Sequence, residues 1–244
     1  MKAHTYTDPF RHAILDNFLP LQYADMIYKE LREIEVTDQW YKYESPFEKK
    51  RSTDNWSLFP PKVSHFLMTT LTGPFIKNVE EQLGMSGLVG DGHLVGGGIH
   101  CQEQGSFLHV HADFNRHRIT NLHRRVNGIL YMNKQWDDDW GGQIEFWKPD
   151  MSACEKKISP KFNRLVLFEI NDKAFHGLPD PITCPPTHRR MSLAFYLYSA
   201  DRPQHEKSEP HSTLFQRRPQ DPLIAEVEAL REKRNHGRLA SNVE

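Results

Sequence analysis

The stretch Phe107-Leu108-His109-Val110-His111-Ala112-Asp113 reads as a β-strand, because polar and apolar residues alternate along it and successive side chains of a strand point to opposite faces. Alternation sends His109, His111 and Asp113 to one side and Leu108, Val110 and Ala112 to the other. An imidazole and a carboxylate two positions apart on a strand can grip one metal ion. In a chain with 14 histidines, composition alone produces about one such pair, so the triplet needs support from elsewhere.

The surrounding sequence has the same texture. From Leu88 to Ala200 the apolar runs are short: His93–Cys101, Phe107–Asp113, Arg125–Asn133, Gln143–Trp147, Asn163–Ile170 and Met191–Tyr198. Turns are marked by Gly96-Gly97-Gly98, Gly141-Gly142 and Asn171-Asp172. This predicts a compact antiparallel β architecture, a barrel or sandwich. Before it, Ala13 to Phe18 reads as a short strand. Leu21, Ala24, Ile27, Tyr28, Leu31 and Ile34 then recur at helical spacing after Pro20. A second helix is predicted from Lys62 to Leu83, with Pro74 to kink or split it and Gly84 to stop it. Between the helices, Asp38 to Pro60 reads as a surface loop tied down by aromatic anchors, in preference to a substrate-gripping lid. After Asp201 the chain turns polar, and Leu223, Val227 and Leu230 predict a last short helix following Asp221-Pro222. Its apolar side needs a partner, either this domain or a second subunit in a homo-oligomer.

The expected organisation is therefore one domain over residues 1–244: a mainly helical buttress with an aromatic loop (1–87), a β core (88–200) and a polar extension (201–244). The 244 residues are 38% apolar and 26% charged, enough for one good core. A net charge of −1 offers no global positive field for nucleic acid or an anionic membrane. The start of the chain shows no apolar leader, and no run approaches the length of a membrane span. Three scattered cysteines, Cys101, Cys154 and Cys184, suit a reducing compartment. A soluble, cytoplasmic protein is expected.

Two further segments support the histidine–aspartate pair. The apolar strand Arg164–Ile170 is followed by Phe175-His176-Gly177, so a second histidine stands just past a core strand. Two imidazoles and a carboxylate form a facial triad with open positions, the arrangement of non-haem Fe(II) oxygenases. The blander alternative has His176 capping a turn and Asp113 paired with an arginine such as Arg116. In Arg189–Tyr198, alternation puts Arg190, Ser192, Ala194 and Tyr196 on a pocket side, while Arg189, Met191, Leu193, Phe195 and Leu197 face the core. A guanidinium beside a hydroxyl suits a carboxylate held from its far end, because arginine offers a planar fork.

Taken together, Gly98 to Ser199 resembles the catalytic core of the 2-oxoglutarate and Fe(II)-dependent dioxygenases, in the prolyl 4-hydroxylase-like branch. The resemblance is carried by His111-Ala112-Asp113, Arg125-Val126-Asn127 running into Ile129–Asn133, Trp140-Gly141-Gly142-Gln143-Ile144, Asn163–Phe168, His176-Gly177 and Arg190-Met191-Ser192-Leu193. It implies a double-stranded β-helix, a jelly-roll variant, with flanking helices. It assigns His111, Asp113 and His176 to Fe(II), and Arg190 with Ser192 to 2-oxoglutarate. Gln102 stands where the family often has a tyrosine that contacts the co-substrate. His100 and His109 match no family ligand. The implied activity couples oxidative decarboxylation of 2-oxoglutarate by dioxygen to hydroxylation of an aliphatic carbon, with ascorbate needed for sustained turnover. A prolyl residue or proline-like compound is the first substrate class, and a sugar, free amino acid or natural-product intermediate the alternative, so the partner is a peptide or small molecule. The loop Gln135–Trp140 and the aromatic stretch Trp40–Phe59 are candidate substrate surfaces. The rivals are a zinc hydrolase on the same ligands, a cupin-like protein using His109 and His111 as its metal pair, and a non-catalytic metal-binding interaction module.

Overall fold

Alternation decides where the long strands put their side chains. In the strand Arg164–Glu169, Leu165 and Leu167 join the core under the helices, whereas Val166 and Phe168 join a second cluster with Tyr131, Ile144 and Phe146. Each such side chain contributes about 1.5–3 kcal/mol by leaving water. A strand apolar on both faces is therefore covered twice, by helices on one side and another sheet on the other.

The computed structural model describes residues 4–236; residues 1–3 and the last eight of the expected extension lie outside the described residues. The amino-terminal elements are β1 (His4–Tyr6), β2 (His12–Leu15), α1 (Leu21–Glu33), β3 (Tyr41–Ser45), β4 (Glu48–Thr53), α2 (Pro61–Thr69), α3 (Gly73–Leu83) and β5 (Val89–Gly90). The core strands follow: β6 (Gly98–Gln102), β7 (Phe107–Ala112), β8 (His123–Tyr131), β9 (Ile144–Trp147), β10 (Cys154–Ile158), β11 (Arg164–Glu169), β12 (His176–Leu178) and β13 (Arg190–Ser199). The chain continues with β14 (Leu214–Phe215) and α4 (Ala225–His236).

The order β11-β8-β13-β6 makes one four-stranded antiparallel sheet and β7-β12-β9-β10 the other. Their alternating chain order is that of a double-stranded β-helix, as the resemblance implied. Helices α2 and α3 pack on the first sheet, with Val63, Phe66, Ile76 and Val79 against Leu193 and Phe195. The predicted break at Pro74 is real: α2 ends at Thr69, α3 begins at Gly73, and Gly84 ends it in the left-handed conformation at φ 61°. No helix among the described residues is long and apolar enough to cross a membrane.

Two expectations are corrected. The stretch Asp38–Pro60 is a β-hairpin in its middle, not a surface loop: β3 pairs with β4 along one edge, and the other edge of β4 pairs with β7 at Glu48 and Lys49 and with β6 from Arg51 to Thr53. Its second strand thus joins the two sheets edge to edge. The polar sequence Glu48-Lys49-Lys50-Arg51-Ser52-Thr53 hides it from a hydrophobicity reading, because what holds it is backbone pairing on both edges. The aromatic anchors are as expected, with Trp40, Phe47 and Phe59 buried. The first 87 residues contribute four short strands beside their three helices. Second, α4 docks through its arginines rather than its leucines. Arg231 and Arg234 lie over Phe47 at 5.6 and 6.0 Å, while Leu223 and Leu230 are exposed.

The extension is pinned at His211, whose Nε2 and Nδ1 bond to Asp172 Oδ1 at 2.9 Å and the Ser212 carbonyl at 2.7 Å. Burial lowers the pKa of this imidazole, but the hydrogen bonds to Asp172 and the Ser212 carbonyl and the negative charge of Asp172 together outweigh it, and the net shift is upward. The pin is therefore fully present below the ordinary histidine range and is lost as pH rises through the folded-state value. Amide exchange at Leu214 and Phe215, corrected for its intrinsic pH dependence, is expected to speed up several-fold between about pH 6 and about pH 9. The effect should be absent in His211→Gln.

Candidate metal centre

The site begins at an irregularity between β7 and β12. His176 stands opposite His111 and Leu178 opposite Leu108, so β7 carries one residue more than its partner over this span. Such a bulge re-aims side chains. Leu108 and His111 both line the interior cavity, whereas His109 packs against Phe47 and Phe107, with ring centroids at 6.1 and 5.3 Å. The expected sharing of one face by His109, His111 and Asp113 therefore fails at His109. The turn of backbone is only open to glycine opposite it: a Cβ on Gly177 would sit 2.8 Å from the Leu108 carbonyl oxygen and 3.0 Å from that of His109. Gly177→Ala is expected to cost about 1–3 kcal/mol, read as a lowered midpoint in urea, and to weaken metal binding because His176 is the neighbouring residue.

The structure brings His111, Asp113 and His176 together, with ligand atoms all within 4.8 Å of one another, and this is the one such histidine, cysteine or acidic group among the described residues. The cupin-like pairing of His109 with His111 is not made. Both imidazoles bond through Nδ1 to a backbone carbonyl at 2.8 Å, His111 to His109 and His176 to Ala174. With Nδ1–H as donor, each Nε2 lone pair is left facing Asp113, at 3.6 Å for His111 and 3.4 Å for His176. Burial, reinforced by the charge of its neighbour His176, lowers the pKa of His111. Burial pushes Asp113 the other way, but the Arg124 guanidinium and the two histidines more than reverse it, so the carboxyl stays well below its usual range. Neutral imidazole and ionised carboxylate are the protonation states a divalent cation requires of its ligands. The donor set fits a metal ion.

Asp113 pairs with Arg124 instead of the Arg116 considered from sequence. Asn127 Nδ2 donates to Asp113 Oδ2 at 2.6 Å, Arg124 approaches the same oxygen at 3.2 Å, and Arg124 also donates twice to Asn127 Oδ1 at 3.0 and 2.8 Å. The guanidinium lies between the rings of Tyr196 and Phe114, at 3.6 and 4.3 Å. Arg124 is only 1% exposed. Asp113→Ala is accordingly expected to destabilise the fold by about 3–5 kcal/mol, because it strands a buried charge. Adding Arg124→Met should recover part of that loss in a double-mutant cycle measured by urea unfolding.

Arg190 lies across an inner cavity of about 80 Å³ that the triad, Gln102, Tyr131 and Ser192 help to line. Its Nε donates to the Gly142 carbonyl at 2.8 Å and another guanidinium nitrogen to Gln102 Oε1. Gly142 can offer that carbonyl because it lies at φ 77°, with the Arg190 side chain 3.1 Å from where a Cβ would be. Arg190 is buried and pairs with no carboxylate among the described residues. Its pKa is lowered, burial being the cause. Beneath the guanidinium, 4.8 Å from the ring centroid, the buried Tyr131 hydroxyl has no hydrogen-bond partner. A guanidinium without a counter-charge and an orphaned hydroxyl at one end of a buried cavity are what an acidic ligand would satisfy. Next to this space is a larger cavity of about 360 Å³, to which the β3–β4 hairpin contributes Tyr41, Tyr43 and Lys50. Gln135–Trp140 lines neither cavity: Trp136 and Trp140 stack edge to face at 5.4 Å, beside a buried cluster with Cys184.

Residues 97–198 match the family model of the 2OG-Fe(II) oxygenase superfamily. This segment is a 2OG-Fe(II) oxygenase domain. The chain is similar to mouse prolyl 3-hydroxylase OGFOD1, at 32% identity over 84 residues; the match spans 33% of this chain and only 15% of that protein. Among solved structures the chain is similar in fold to a prolyl hydroxylase from Trichoplax adhaerens, in complex with a peptide fragment of the hypoxia inducible factor oxygen degradation domain (TM-score 0.57, 16% identity, 77% of this chain and 83% of that one). A prolyl-4-hydroxylase from Pseudomonas putida is also similar (TM-score 0.54, 16% identity, 77% and 92%).

Sequence reasoning missed three residues of the oxygenase domain's site. Tyr131 was visible as the end of an apolar run, and its place on the face of Asn127 and Ile129 follows from period-two alternation. Arg124 was not. In β8 the pairing skips a residue, with Val126 opposite Leu197 and Arg124 opposite Tyr198, which carries Arg124 to the same interior as Asn127. Asn127 was quoted for the resemblance without a role; its contact is with Asp113.

Proposed function

We propose that this oxygenase domain is an iron(II)- and 2-oxoglutarate-dependent hydroxylase, with a prolyl residue or proline-like compound as its substrate class. The observation that carries the reading is the convergence of two buried imidazoles and an ionised carboxylate beside a buried arginine that has no counter-charge. His111, Asp113 and His176 would hold the iron. When bound there with 2-oxoglutarate and dioxygen, it supplies an oxidation in which the keto acid loses carbon dioxide, one oxygen atom goes into succinate and the other into a C–H bond of the substrate.

The chain's own residues bind and orient. Arg190 receives the distal carboxylate of 2-oxoglutarate on its fork, with the Tyr131 hydroxyl and Ser192 as further donors. Gln102 acts through Arg190, since its carbonyl oxygen takes one of the guanidinium protons. Ala174 and the His109 carbonyl hold the ring tautomers, and Arg124 with Asn127 holds Asp113. Leu108, Ile129, Ile144 and Leu178 add an apolar part to the inner wall, which helps keep water away from the reacting bond.

The similarity to prolyl hydroxylases supports the prolyl class. A second reading, a free amino acid or sugar-sized substrate, is favoured by an outer cavity of only about 360 Å³, in the range of small-molecule sites. Purified protein with Fe(II), ascorbate and 2-oxoglutarate is expected to release succinate when prolyl peptides or proline analogues are added. Formation of no succinate with peptides, amino acids and sugars alike would overturn the enzymatic reading. Omitting ascorbate should shorten the progress curve rather than lower its initial slope.

A further inference from the structure

The chain as a whole carries a net charge of −1, yet its outer cavity is lined by five cationic side chains, Lys50, Arg116, Arg118, Arg124 and Arg234. Three carboxylates face them: Glu48, Asp54 and Asp113. Most of these charges are committed. Arg124 belongs to Asp113, and Glu48 is shared by Lys50 and Arg234 at 3.2 Å each. Arg116, Arg118 and the single carboxylate Asp54 are not, which leaves the two guanidiniums in excess. Arg116 gives one nitrogen to the Asn121 carbonyl at 2.9 Å, and its Nε is buried without a partner. Arg118 is exposed and forms no ion pair among the described residues.

The backbone that presents these two guanidiniums is fixed. Both lie in the connection between β7 and β8, where His117 bonds through Nε2 to Asp91 at 3.1 Å and accepts through Nδ1 from the amides of Ile119 and Thr120, both at 3.1 Å. Arg116 itself forms a bridge with His123. Asn115 adds hydrogen bonds to Ser208 and Glu209 in the extension. A preset pair of guanidiniums with unmet donors, at the rim of a cavity that reaches His111 and Asp113, suits an anion, because the arginine fork matches carboxylate and phosphate oxygens.

We propose that the outer cavity selects a substrate bearing an anionic group, carboxylate or phosphate, which Arg116 and Arg118 bind while Tyr41 and Tyr43 pack against the rest. This rests on the reading of His111, Asp113 and His176 as the oxygenation centre, since it takes the outer cavity as the substrate's place. A cationic substrate is excluded by the same charges that attract an anionic one.

The test is calorimetric titration with three capped tripeptides, acetyl-Glu-Pro-Glu-amide, its phosphoserine analogue with phosphoserine in place of both glutamates, and acetyl-Lys-Pro-Lys-amide. Each is titrated with and without Mn(II) and 2-oxoglutarate. At least one anionic peptide is expected to bind about tenfold or more tighter than the lysine peptide, and the better of the two names the group. The difference should shrink with added salt. In an Arg116→Gln, Arg118→Gln protein the difference should vanish while Mn(II) and 2-oxoglutarate still bind, which also shows that the variant is folded. Equal or tighter binding of the lysine peptide, no measurable binding of either anionic peptide, or a preference that survives in the double variant would each overturn the proposal. Failure to bind Mn(II) and 2-oxoglutarate instead counts against the oxygenase-centre reading, and the peptide preference measured without them still decides whether the anion site exists.

Discussion

His176→Ala is expected to leave a folded chain that no longer turns over 2-oxoglutarate. The histidine ring rests on Phe168 at 4.7 Å and on His111 at 4.4 Å, so its removal leaves a small void costing about 1–3 kcal/mol, while the backbone pairing of β12 with β7 and β9 is untouched. Asp113 keeps Arg124 as its partner, so no charge is stranded. The consequence for the metal is much larger, because two protein ligands in place of three lower affinity by orders of magnitude. Succinate release should fall at least a hundredfold, and Mn(II) titration followed by electron paramagnetic resonance should show the loss of the tight site. Near-native activity with retained Mn(II) affinity would remove His176 from the ligand set. Asp113→Ala is the less clean experiment: it deletes a ligand and half of a buried ion pair together, and any lost activity would be confounded with unfolding.

The second large effect is at Arg190. Arg190→Ala removes the charge-assisted contacts proposed for the distal carboxylate, worth about 1.5–3 kcal/mol each, and should raise the 2-oxoglutarate concentration for half-maximal turnover by about a hundredfold. Arg190→Lys should lie between the two, because an ammonium supplies a point charge but not the fork that reaches the Gly142 carbonyl and Gln102 at once. Removing a buried guanidinium that lacks a counter-ion also has a distinguishable signature without co-substrate: the variants should be as stable as the parent or more so in urea, yet gain less stability when 2-oxoglutarate is added. An unchanged 2-oxoglutarate requirement would transfer the role to another residue.

The sequence exposed those parts of the fold in which side-chain burial repeats with a simple period. Strands β8, β11 and β13, with opposite faces apolar for separate reasons, were visible as runs, and α3 was bounded by Pro74 and Gly84. The segments β4 and β10 were not, because Glu48–Thr53 and Cys154–Ile158 are rich in lysine and glutamate and owe their place to backbone pairing. The three residues of β12 are too few for any period to show. At the site, His111, Asp113, His176 and Arg190 were legible as residue types in ordered spacing. The two places where one strand gains a residue on its neighbour were not, and these remove His109 from the cavity and bring Arg124 into it. Local alternation describes a regular ladder; what sequence leaves out is the slip between two ladders.

Along one edge strand β4 is hydrogen-bonded to both sheets, to β7 at Glu48–Lys49 and to β6 at Arg51–Thr53, and that has a consequence for how a substrate reaches the inner residues. A wall sewn to two sheets cannot swing outward without tearing a seam on each, so Lys50, with Tyr43 paired to it on β3, forms a fixed jamb instead of a moving door. Molecules reaching Asp113 are then sieved by the width and charge of a standing aperture, and discrimination is exercised on the way in rather than by clamping afterwards.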